Sequence, residues 1–134
     1  MHNLFVYGSL MFEPVWRHLL GKRHATERAT LDGYRRQRIR DQTYPGIQPD
    51  AAARVDGVLV FDLTHDEMNR LDQFEGEEYQ RQGVIVSRAD GREQACQVYV
   101  IRPTYRGQLL NEDWDPQHFE NNDMQRFLHE FRNW

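Results

Sequence analysis

One acidic residue, Glu75, falls where a helix of this chain should present apolar side chains to its core. Thr64, followed three residues later by Glu67, forms a capping-box pattern that starts the helix at Thr64. The apolar side of that helix is carried by residues at helical spacing, namely Met68, Leu71 and Phe74. A carboxylate beside them costs free energy unless it is hydrogen-bonded, paired or neutral. Glu75 is therefore a candidate for proton transfer near neutral pH.

Two further acids follow Glu75 and bear on its protonation. Gly76 is expected to end the helix, and Glu77 and Glu78 come directly after it. Like charges close to a carboxylate raise its pKa, so these residues would favour the protonated form of Glu75. The alternative is that Glu75 lies in a frayed last turn and simply reaches solvent, because a sequence places helix ends only to within a few residues.

The start of the chain offers a second chemical feature, a strand that runs directly into a turn of small residues. The apolar stretch from Leu4 to Tyr7 is followed at once by Gly8 and Ser9. A strand, a glycine turn and a helix soon after leave the backbone N–H groups of Gly8, Ser9 and Leu10 able to hold a carboxylate or a developing oxyanion. The alternative is a plain connection, since most turns of this kind bind nothing.

Other reactive side chains are weaker candidates. The six histidines include no pair at i, i+4 spacing and no companion cysteines, so we expect no metal site. The single cysteine, Cys96, lies in an apolar strand with Val98 and Val100, where a buried, unreactive thiol is favoured over a nucleophile. We therefore expect neither a metal nor another cofactor.

The one basic cluster, RRQRIR at 35–40, places Arg36, Arg38 and Arg40 on one face of a strand. Such a face could contact RNA or an acidic ligand, but a solvated edge that discourages pairing between sheets is the favoured interpretation. The whole chain has 17 basic and 21 acidic residues, a net charge of −4, and its charges are scattered. Nucleic acid and anionic membranes are therefore not the expected partners.

Strand and helix patterns mix along the chain, which predicts an α+β protein with consecutive antiparallel strands. Residues 41–50 contain Pro45, Gly46 and Pro49 and are expected to form a loop. The segment 25–40 is expected to be a polar edge strand or strand pair, and 3–7 a strand buried on both faces. The remaining strands are predicted over 54–63, 82–88 and 95–101, the last two forming a hairpin with Asp90 and Gly91 at its tip.

Two more helices accompany the one that begins at Thr64. The first has Pro14 in its first turn and ends at Gly21. The last begins at Asp115 or Pro116, and its apolar side is carried by Phe119, Met124, Phe127, Leu128 and Phe131. Core or dimer-surface positions are the most economical assignment for this aromatic helix and for Trp114 and Trp134.

The length of 134 residues fits one domain, residues 1–134, that can bury a core without disulfides or metals. A single cysteine cannot form an intramolecular disulfide. Neither an apolar run long enough to cross a bilayer nor a signal-peptide pattern is found, so a soluble cytoplasmic protein without a membrane partner is expected. The sequence leaves the oligomeric state open.

Four motifs, in their order and spacing, resemble those of the gamma-glutamylcyclotransferase-like superfamily. They are VYGSLM after the first strand, YPGI roughly 35 residues later, VDGVLVFDL before the capped helix, and LDQFEGEEYQRQ at its end. Within the superfamily the chain is most similar to the small bacterial and plant avirulence-induced-type proteins and to gamma-glutamylamine cyclotransferase. The resemblance runs from Asn3 to about Ile101, and DWDPQHFE at 113–120 resembles the C-terminal part of the same group.

The resemblance implies a small mixed, mostly antiparallel β-barrel with flanking short helices. It also implies a cavity at one end that binds a glutamyl or 5-oxoproline moiety. The family's Y-G-(S/T)-x turn matches Tyr7, Gly8, Ser9 and Leu10, whose main chain would hold this ligand. Where the amine cyclotransferase has a threonine this chain has Ser9, which keeps a hydroxyl group. The family's catalytic glutamate matches Glu75.

Three further positions match the cavity wall of the family. The tyrosine that follows the catalytic glutamate matches Tyr79, and the family's Tyr-Pro loop matches Tyr44 and Pro45. The leaving-group side of the cavity is expected to be open and to be defined by the segments 41–50 and 102–114, because binding specificity commonly sits on loops carried by a rigid scaffold.

The implied activity is the cyclisation of a small gamma-glutamyl amine or related compound to 5-oxoproline, with Glu75 as general acid and base. The substrate's own α-amine attacks its γ-carbonyl, so the protein need supply no nucleophile. The alternative function is a non-catalytic module that binds a small carboxylate or another partner on the same fold. Glu75 favours the enzyme, because a decayed site would be free to lose a costly acid.

Overall fold

A closed barrel of five strands forms the centre of the computed structural model, which describes residues 1–22 and 24–130. In chain order the strands are β1 (His2–Val6), β2 (Thr26–Arg38), β3 (Pro45–Leu63), β4 (Tyr79–Arg88) and β5 (Glu93–Ile101). Around the barrel the order is β1, β3, β2, β4, β5. All neighbours are antiparallel except β1 and β5, which are parallel. The predicted α+β class with a mixed, mostly antiparallel barrel is confirmed.

Short helices flank the barrel. They are α1 (Glu13–Leu20), α2 (His65–Glu75), α3 (Pro116–His118) and α4 (Met124–Glu130), with a wider π-helical turn over Phe119–Asp123 between the last two. Tighter 3-10 turns cover Ser9–Met11 and Pro103–Gln108. No helix among the described residues is both long and apolar enough to span a membrane. The predicted positions Phe131 and Trp134 lie outside the described residues.

Strand β1 is buried on both faces, as predicted, because its side chains alternate between two apolar clusters. Phe5 belongs to a cluster formed by the strands and Tyr7, which fills the barrel. Leu4 and Val6 belong to the cluster between the barrel and the helices. Full burial of an apolar side chain of this size contributes roughly 1.5–3 kcal/mol, so β1 is held firmly where it enters the Gly8 turn.

The prediction of a loop over 41–50 is wrong from Pro45 onward, where β3 begins. Pro45 is the first residue of its strand, a position that does not need the missing N–H group. Pro49 pairs with Tyr34 beside a register shift between Asp32 and Tyr34, where the ladder is already interrupted. Breaker residues are tolerated at these two places, and the strand continues through them.

The segment 25–40, predicted as an edge strand or strand pair, contains one strand, β2, which pairs with β3 along its length and with β4 at Ala29 and Thr30. At these two residues β2 has a partner on both sides, so the prediction of an edge is wrong there. The segment after β5 also returns to the end of β2, where the N–H group of Arg38 donates to the carbonyl of Glu112.

The interpretation of the arginine cluster as a solvated face is wrong for Arg36. This side chain is only 14% exposed. One nitrogen of its guanidinium donates to the carbonyl oxygen of Tyr7 at 3.2 Å, and the group lies 5.4 Å from the centre of the Trp114 ring. Arg38 does remain at the surface, where it pairs with Glu112.

The predicted capping box fixes the start of α2. The Thr64 hydroxyl accepts a hydrogen bond from the N–H group of Glu67 at 3.1 Å, and the Glu67 carboxylate accepts one from the N–H group of Thr64 at 2.9 Å. Gly76 ends the helix with a φ of +76°, which a residue with a side chain rarely adopts. Both predicted ends are therefore confirmed, and they place Glu75 in the last turn of α2.

The predicted hairpin is also present, with Gly91 at its tip at a φ of +87°. Its first strand begins at Tyr79, three residues earlier than predicted, because pairing continues to Ile101. Tyr79 therefore belongs to the barrel wall, close to the end of α2.

Candidate functional site

A cavity of about 240 Å³ opens between the end of β1, the start of β3, the end of α2 and helix α4. Every residue predicted to form the site borders it. The lining consists of Phe5, Val6, Tyr7, Gly8, Ser9, Leu10, Tyr44, Pro45, Phe74, Glu75, Glu78, Tyr79, Tyr99 and Phe127. The structure thus brings the predicted residues together, and the role of each in binding or catalysis stays a prediction.

Glu75 is half-buried and borders this cavity from the last turn of α2. Dense packing removes its carboxyl group from bulk water, which raises its pKa to about 8, and the negative charges of Asp72 and Glu78 act in the same direction. A carboxyl group with this pKa can both accept and donate a proton near neutral pH. Glu75 is therefore part of the cavity wall and not a frayed, fully solvated end.

The turn after β1 forms another part of the cavity wall. Ser9 and Leu10 are buried, and they begin a 3-10 turn whose first N–H groups have no partner within the turn itself. A Cβ atom on Gly8 would lie only 2.8 Å from Cδ of Pro45. The turn therefore packs directly against the start of β3, and glycine is required for this close approach.

Tyr44 and Pro45 form a wall of the cavity, and each is held by one hydrogen bond that involves a tyrosine hydroxyl. The hydroxyl of Tyr79 donates to the carbonyl oxygen of Pro45 at 2.6 Å. The hydroxyl of Tyr44 donates to the carboxylate of Glu78 at 3.4 Å. Burial, together with nearby negative charges, raises the pKa of Tyr44 to about 12, and burial likewise raises the pKa of Tyr79 well above its usual value. Both phenols are therefore neutral hydrogen-bond donors at physiological pH.

The sequence did not identify Tyr99 as a site residue. Its carbonyl oxygen accepts a hydrogen bond from the hydroxyl of Tyr7 at 2.7 Å, and its own hydroxyl donates to Oδ1 of Asp72 at 2.7 Å. A signal was available, because Tyr99 stands between Val98 and Val100 in an apolar strand. A phenol hydroxyl at such a position must find a polar partner when it is buried.

Phe127 of α4 was predicted as an apolar core residue and was not assigned to a site. Its ring lies 6.4 Å from that of Tyr44 and 6.0 Å from that of Phe74, both in edge-on geometry. The C-terminal helix therefore closes one side of the cavity. Amphipathic spacing identified the buried face of this helix but carries no signal for which part of the barrel it covers.

The second predicted specificity segment, 102–114, contributes no side chain to the lining of this cavity within the described part of the chain. Two of its residues, Tyr105 and Gln108, line a more open groove, called the outer groove, together with Ile39, Arg40, Gln42, Gly76 and Glu77. That groove also includes Glu75 and Glu78, so it adjoins the cavity at these two acids.

The titratable groups around the cavity are two carboxyl groups and four phenols. They are Glu75, Glu78, Tyr7, Tyr44, Tyr79 and Tyr99, and the described lining contains no lysine, arginine or histidine. Within residues 1–22 and 24–130, no cluster of three or more His, Cys, Asp or Glu side chains could hold a metal ion. The arrangement offers one carboxyl group for proton exchange, backbone donors for an anion, and a wall of neutral phenols.

The prediction that Cys96 is a buried, unreactive thiol agrees with its surroundings. Its side chain packs in the cluster that fills the barrel, and burial raises the pKa of its thiol to about 11. The thiol is therefore protonated at neutral pH, as an unreactive core residue should be.

The chain is similar to proteins of a known family. The model of the family described as "Gamma-glutamyl cyclotransferase, AIG2-like" matches residues 4–116. AIG2-like protein D of Arabidopsis thaliana is 39% identical over 126 residues, which cover 90% of this chain and 83% of that protein.

Solved structures agree with the fold. The solution structure of another Arabidopsis thaliana protein superposes with a TM-score of 0.76 at 30% identity, covering 97% of this chain and 87% of the other. A solved gamma-glutamyl cyclotransferase superposes with a TM-score of 0.68 over 78% of this chain and 73% of its own. At 21% identity, the second likeness bears on the fold alone.

Proposed function

We propose, from the premise that this chain belongs to the gamma-glutamyl cyclotransferase, AIG2-like family, that it cyclises a small gamma-glutamyl amine and releases 5-oxoproline and the free amine. The observation that carries the proposal is the carboxyl group of Glu75, which borders the cavity and has a pKa raised to about 8. Burying a carboxyl group costs free energy, and a raised pKa of this kind is typical of a residue that exchanges a proton during catalysis.

The reaction needs little covalent chemistry from the protein. The α-nitrogen of the substrate forms a bond to its own γ-carbonyl carbon, and the bond from that carbon to the leaving nitrogen breaks. The α-ammonium group must lose one proton before attack, and the ring nitrogen must lose a second to become the lactam N–H. The leaving nitrogen gains two protons and departs as an ammonium ion. Glu75 in its carboxylate form accepts each proton from the α-nitrogen and delivers it to the leaving nitrogen, so it ends as a carboxylate and no other acid or base is consumed.

The raised pKa of Glu75 brings it closer to the donor from which it would take this proton. The α-ammonium group of a peptide has a reference pKa of about 8, and that of a substrate with a free α-carboxylate lies higher, so a pKa of about 8 for Glu75 narrows the difference that an ordinary glutamate would face. Proton transfer between groups of similar pKa has only a small free-energy difference, whereas an ordinary glutamate would be too weak a base. The neighbouring acids and the loss of water around Glu75 therefore favour this particular step.

The backbone of the Gly8 turn supplies the second requirement, a fixed substrate. N–H groups of Ser9 and Leu10 would hold the substrate carboxylate or the developing oxyanion. Holding the two ends of the glutamyl group in contact contributes on the order of 7–11 kcal/mol to lowering the barrier in favourable intramolecular reactions. Ring closure therefore depends as much on the cavity shape as on Glu75.

The dimensions of the cavity support a small substrate group. Pockets for drug-sized ligands have volumes of about 300–1,000 Å³. The cavity here, about 240 Å³, is smaller and suits a single glutamyl or 5-oxoproline unit. The leaving amine would extend past Glu75 and Glu78 into the outer groove, which adjoins the cavity at these residues.

The test is release of 5-oxoproline from a panel of gamma-glutamyl amines and gamma-glutamyl dipeptides. We expect turnover of at least one amine and thermal stabilisation by 5-oxoproline at millimolar concentration, since binding stabilises the folded state by RT ln(1 + [L]/Kd). A protein that binds 5-oxoproline but turns over no compound would instead be a non-catalytic binding module. A protein that does neither would contradict the proposed function.

A further inference from the structure

Asp72, one helical turn before Glu75 on α2, is held by two donors from the β4–β5 hairpin. The hydroxyl of Tyr99 donates to Oδ1 at 2.7 Å, and Nη2 of Arg81 donates to Oδ2 at 3.1 Å. Arg81 is itself fixed, because its Nη1 donates to Oε1 of Gln97 at 2.6 Å. Both carboxylate oxygens of Asp72 therefore have a defined partner, and the carboxylate is fixed in one orientation.

The same network reaches the cavity. Tyr99 lines the cavity, and its carbonyl oxygen accepts the hydroxyl of Tyr7, which also lines it. Residues three apart on a helix lie on the same side, with Cβ atoms about 5–6 Å apart. The charge of Asp72 therefore acts on Glu75 at short range, from a position that the hairpin fixes.

Several elements packed around Glu75 carry titratable or charged groups that also bear on its protonation. The phenols are neutral at physiological pH, and only the carboxylates and guanidinium groups carry charge there. On the negative side are Asp72 on α2, Glu78 after α2 and, farther out beside Tyr44, Glu130 on α4. On the positive side are Arg81 on β4, behind Asp72, and Arg36 on β2, behind Tyr7. The phenols are Tyr7, Tyr44, Tyr79 and Tyr99.

Asp72 differs from the other acids in how it is held. Glu78 has a single, long hydrogen bond of 3.4 Å from Tyr44 and borders the outer groove. Asp72 has two partners from another part of the fold, and it does not line the cavity. It can therefore act on Glu75 without contacting a ligand.

We propose that Asp72, fixed by Tyr99 and Arg81, is a positioning residue that controls the protonation of Glu75 and keeps it basic enough to deprotonate the substrate. This inference rests on the proposed function for its catalytic meaning. It concerns the free protein too, because the charges are in place without a ligand. Arg81 sets the size of the effect, since its positive charge partly offsets that of Asp72.

The direct test is titration of the Glu75 side-chain carboxyl carbon by ¹³C NMR, with the resonance assigned from Glu75→Gln. Asp72→Asn keeps the shape but removes a negative charge, so the titration midpoint of Glu75 should fall by about one pH unit, the usual scale of such shifts in folded proteins. Arg81→Met should move the midpoint in the opposite direction. Arg81→Lys, which keeps the charge, should leave it close to the parent value.

Matched controls separate this effect from a general loss of charge. Asp66→Asn removes an exposed acid from the first turn of the same helix, and Arg92→Met removes an exposed arginine from the tip of the same hairpin. Neither should move the midpoint. An unchanged midpoint in Asp72→Asn, or an equal shift in Asp66→Asn, would overturn the inference. Should Asp72→Asn fail to fold, the direction of the shift in Arg81→Met decides.

Activity provides the second measurement. In Asp72→Asn the acid limb of the pH profile of kcat/KM should move to lower pH by the same amount as the NMR midpoint. A residue with a merely structural role would lower kcat/KM at every pH without moving this limb. An inactive parent protein would contradict the proposed function, and the NMR titration would still decide whether Asp72 controls Glu75.

Discussion

The hydroxyl of Tyr79 and the carbonyl oxygen of Pro45 are joined by a hydrogen bond of 2.6 Å. This bond connects the start of β4 to the first residue of β3. Pro45 also lies directly against Gly8, at the end of β1. Three segments that are distant in the sequence therefore form one wall of the cavity, and the wall depends on contacts that no single segment supplies.

Removing the hydroxyl in Tyr79→Phe should weaken this wall. A buried carbonyl that loses its donor costs about 1–3 kcal/mol, so urea denaturation should show a loss of stability of this size. Thermal-shift titration should also show weaker binding of 5-oxoproline. Tyr34→Phe, which removes a hydroxyl from a tyrosine that does not line the cavity, should leave binding unchanged. Parent-like stability and binding in Tyr79→Phe would show that Pro45 is held by other contacts.

The close approach of Gly8 to Pro45 predicts that even Gly8→Ala is harmful. The new Cβ atom would lie 2.8 Å from Cδ of Pro45, and the proline ring would have to move. Overpacking of this kind costs typically about 1–3 kcal/mol, and 5-oxoproline binding should fall as the wall shifts. The matched control is Gly83→Ala in β4, where a Cβ atom meets nothing within 4 Å. Equal behaviour of the two variants in stability and binding would contradict the prediction.

The pKa of Glu75 predicts how stability depends on pH. Because its pKa is raised from the usual 4.5 to about 8 in the folded state, the folded protein binds a proton more tightly than the unfolded chain. The stability that follows from this tighter proton binding is fully present below the pKa that Glu75 has in the unfolded chain, and it is lost as the pH rises towards 8. The free energy of unfolding should therefore fall between about pH 5 and 8, by at most about 1.4 kcal/mol per pH unit from this group.

Glu75→Gln cannot titrate, so it isolates that contribution. The stability of this variant relative to the parent should increase steadily from pH 5 to pH 8, measured by urea denaturation at each pH. Glu77→Gln, at an exposed position beyond the helix, should run parallel to the parent. A constant difference between Glu75→Gln and the parent across this range would show that the pKa of Glu75 is not raised.

The preference for the leaving amine is expected to depend on Gln42 and Tyr105, one from each predicted specificity segment. Both residues line the outer groove, and neither lines the cavity. Gln42→Ala and Tyr105→Ala should each change the order of kcat/KM among gamma-glutamyl amines, while 5-oxoproline binding stays close to that of the parent. The assay is 5-oxoproline release from a matched panel. An equal loss for every amine and for 5-oxoproline would mean that these residues only support the fold.

Helix ends and the hairpin turn could be predicted from short stretches of the sequence. The capping box at Thr64, the ends of α1 and α2 at Gly21 and Gly76, and the hairpin tip at Gly91 are all found as expected. Each depends on a few adjacent residues, because helix caps and tight turns are determined by hydrogen bonds and φ angles over a short range. The family resemblance, not periodicity, supplied the barrel.

Features that depend on distant pairing were missed or mistaken. Pro45 and Pro49 predicted a loop, yet one begins a strand and the other lies beside a register shift that only the partner strand reveals. Arg36 was assigned to a solvated face, yet it is covered by Trp114 from a segment far along the chain. Tyr99 lines the cavity beside Tyr7, whose hydroxyl donates to its carbonyl oxygen, and this contact between segments distant in the sequence is not encoded by a local pattern.

Turnover of Glu75→Gln is the decisive measurement for the enzymatic function. The amide keeps the shape of the side chain but cannot carry the proton, so the variant should fold, bind 5-oxoproline and lose about a hundred- to ten-thousand-fold in kcat/KM for a gamma-glutamyl amine, or roughly 3–5 kcal/mol in the barrier. Asp66→Asn, which removes an exposed acid from the first turn of the same helix, outside both the cavity and the outer groove, should retain turnover close to that of the parent. A folded Glu75→Gln protein that releases 5-oxoproline at the parent's rate would remove Glu75 from the mechanism.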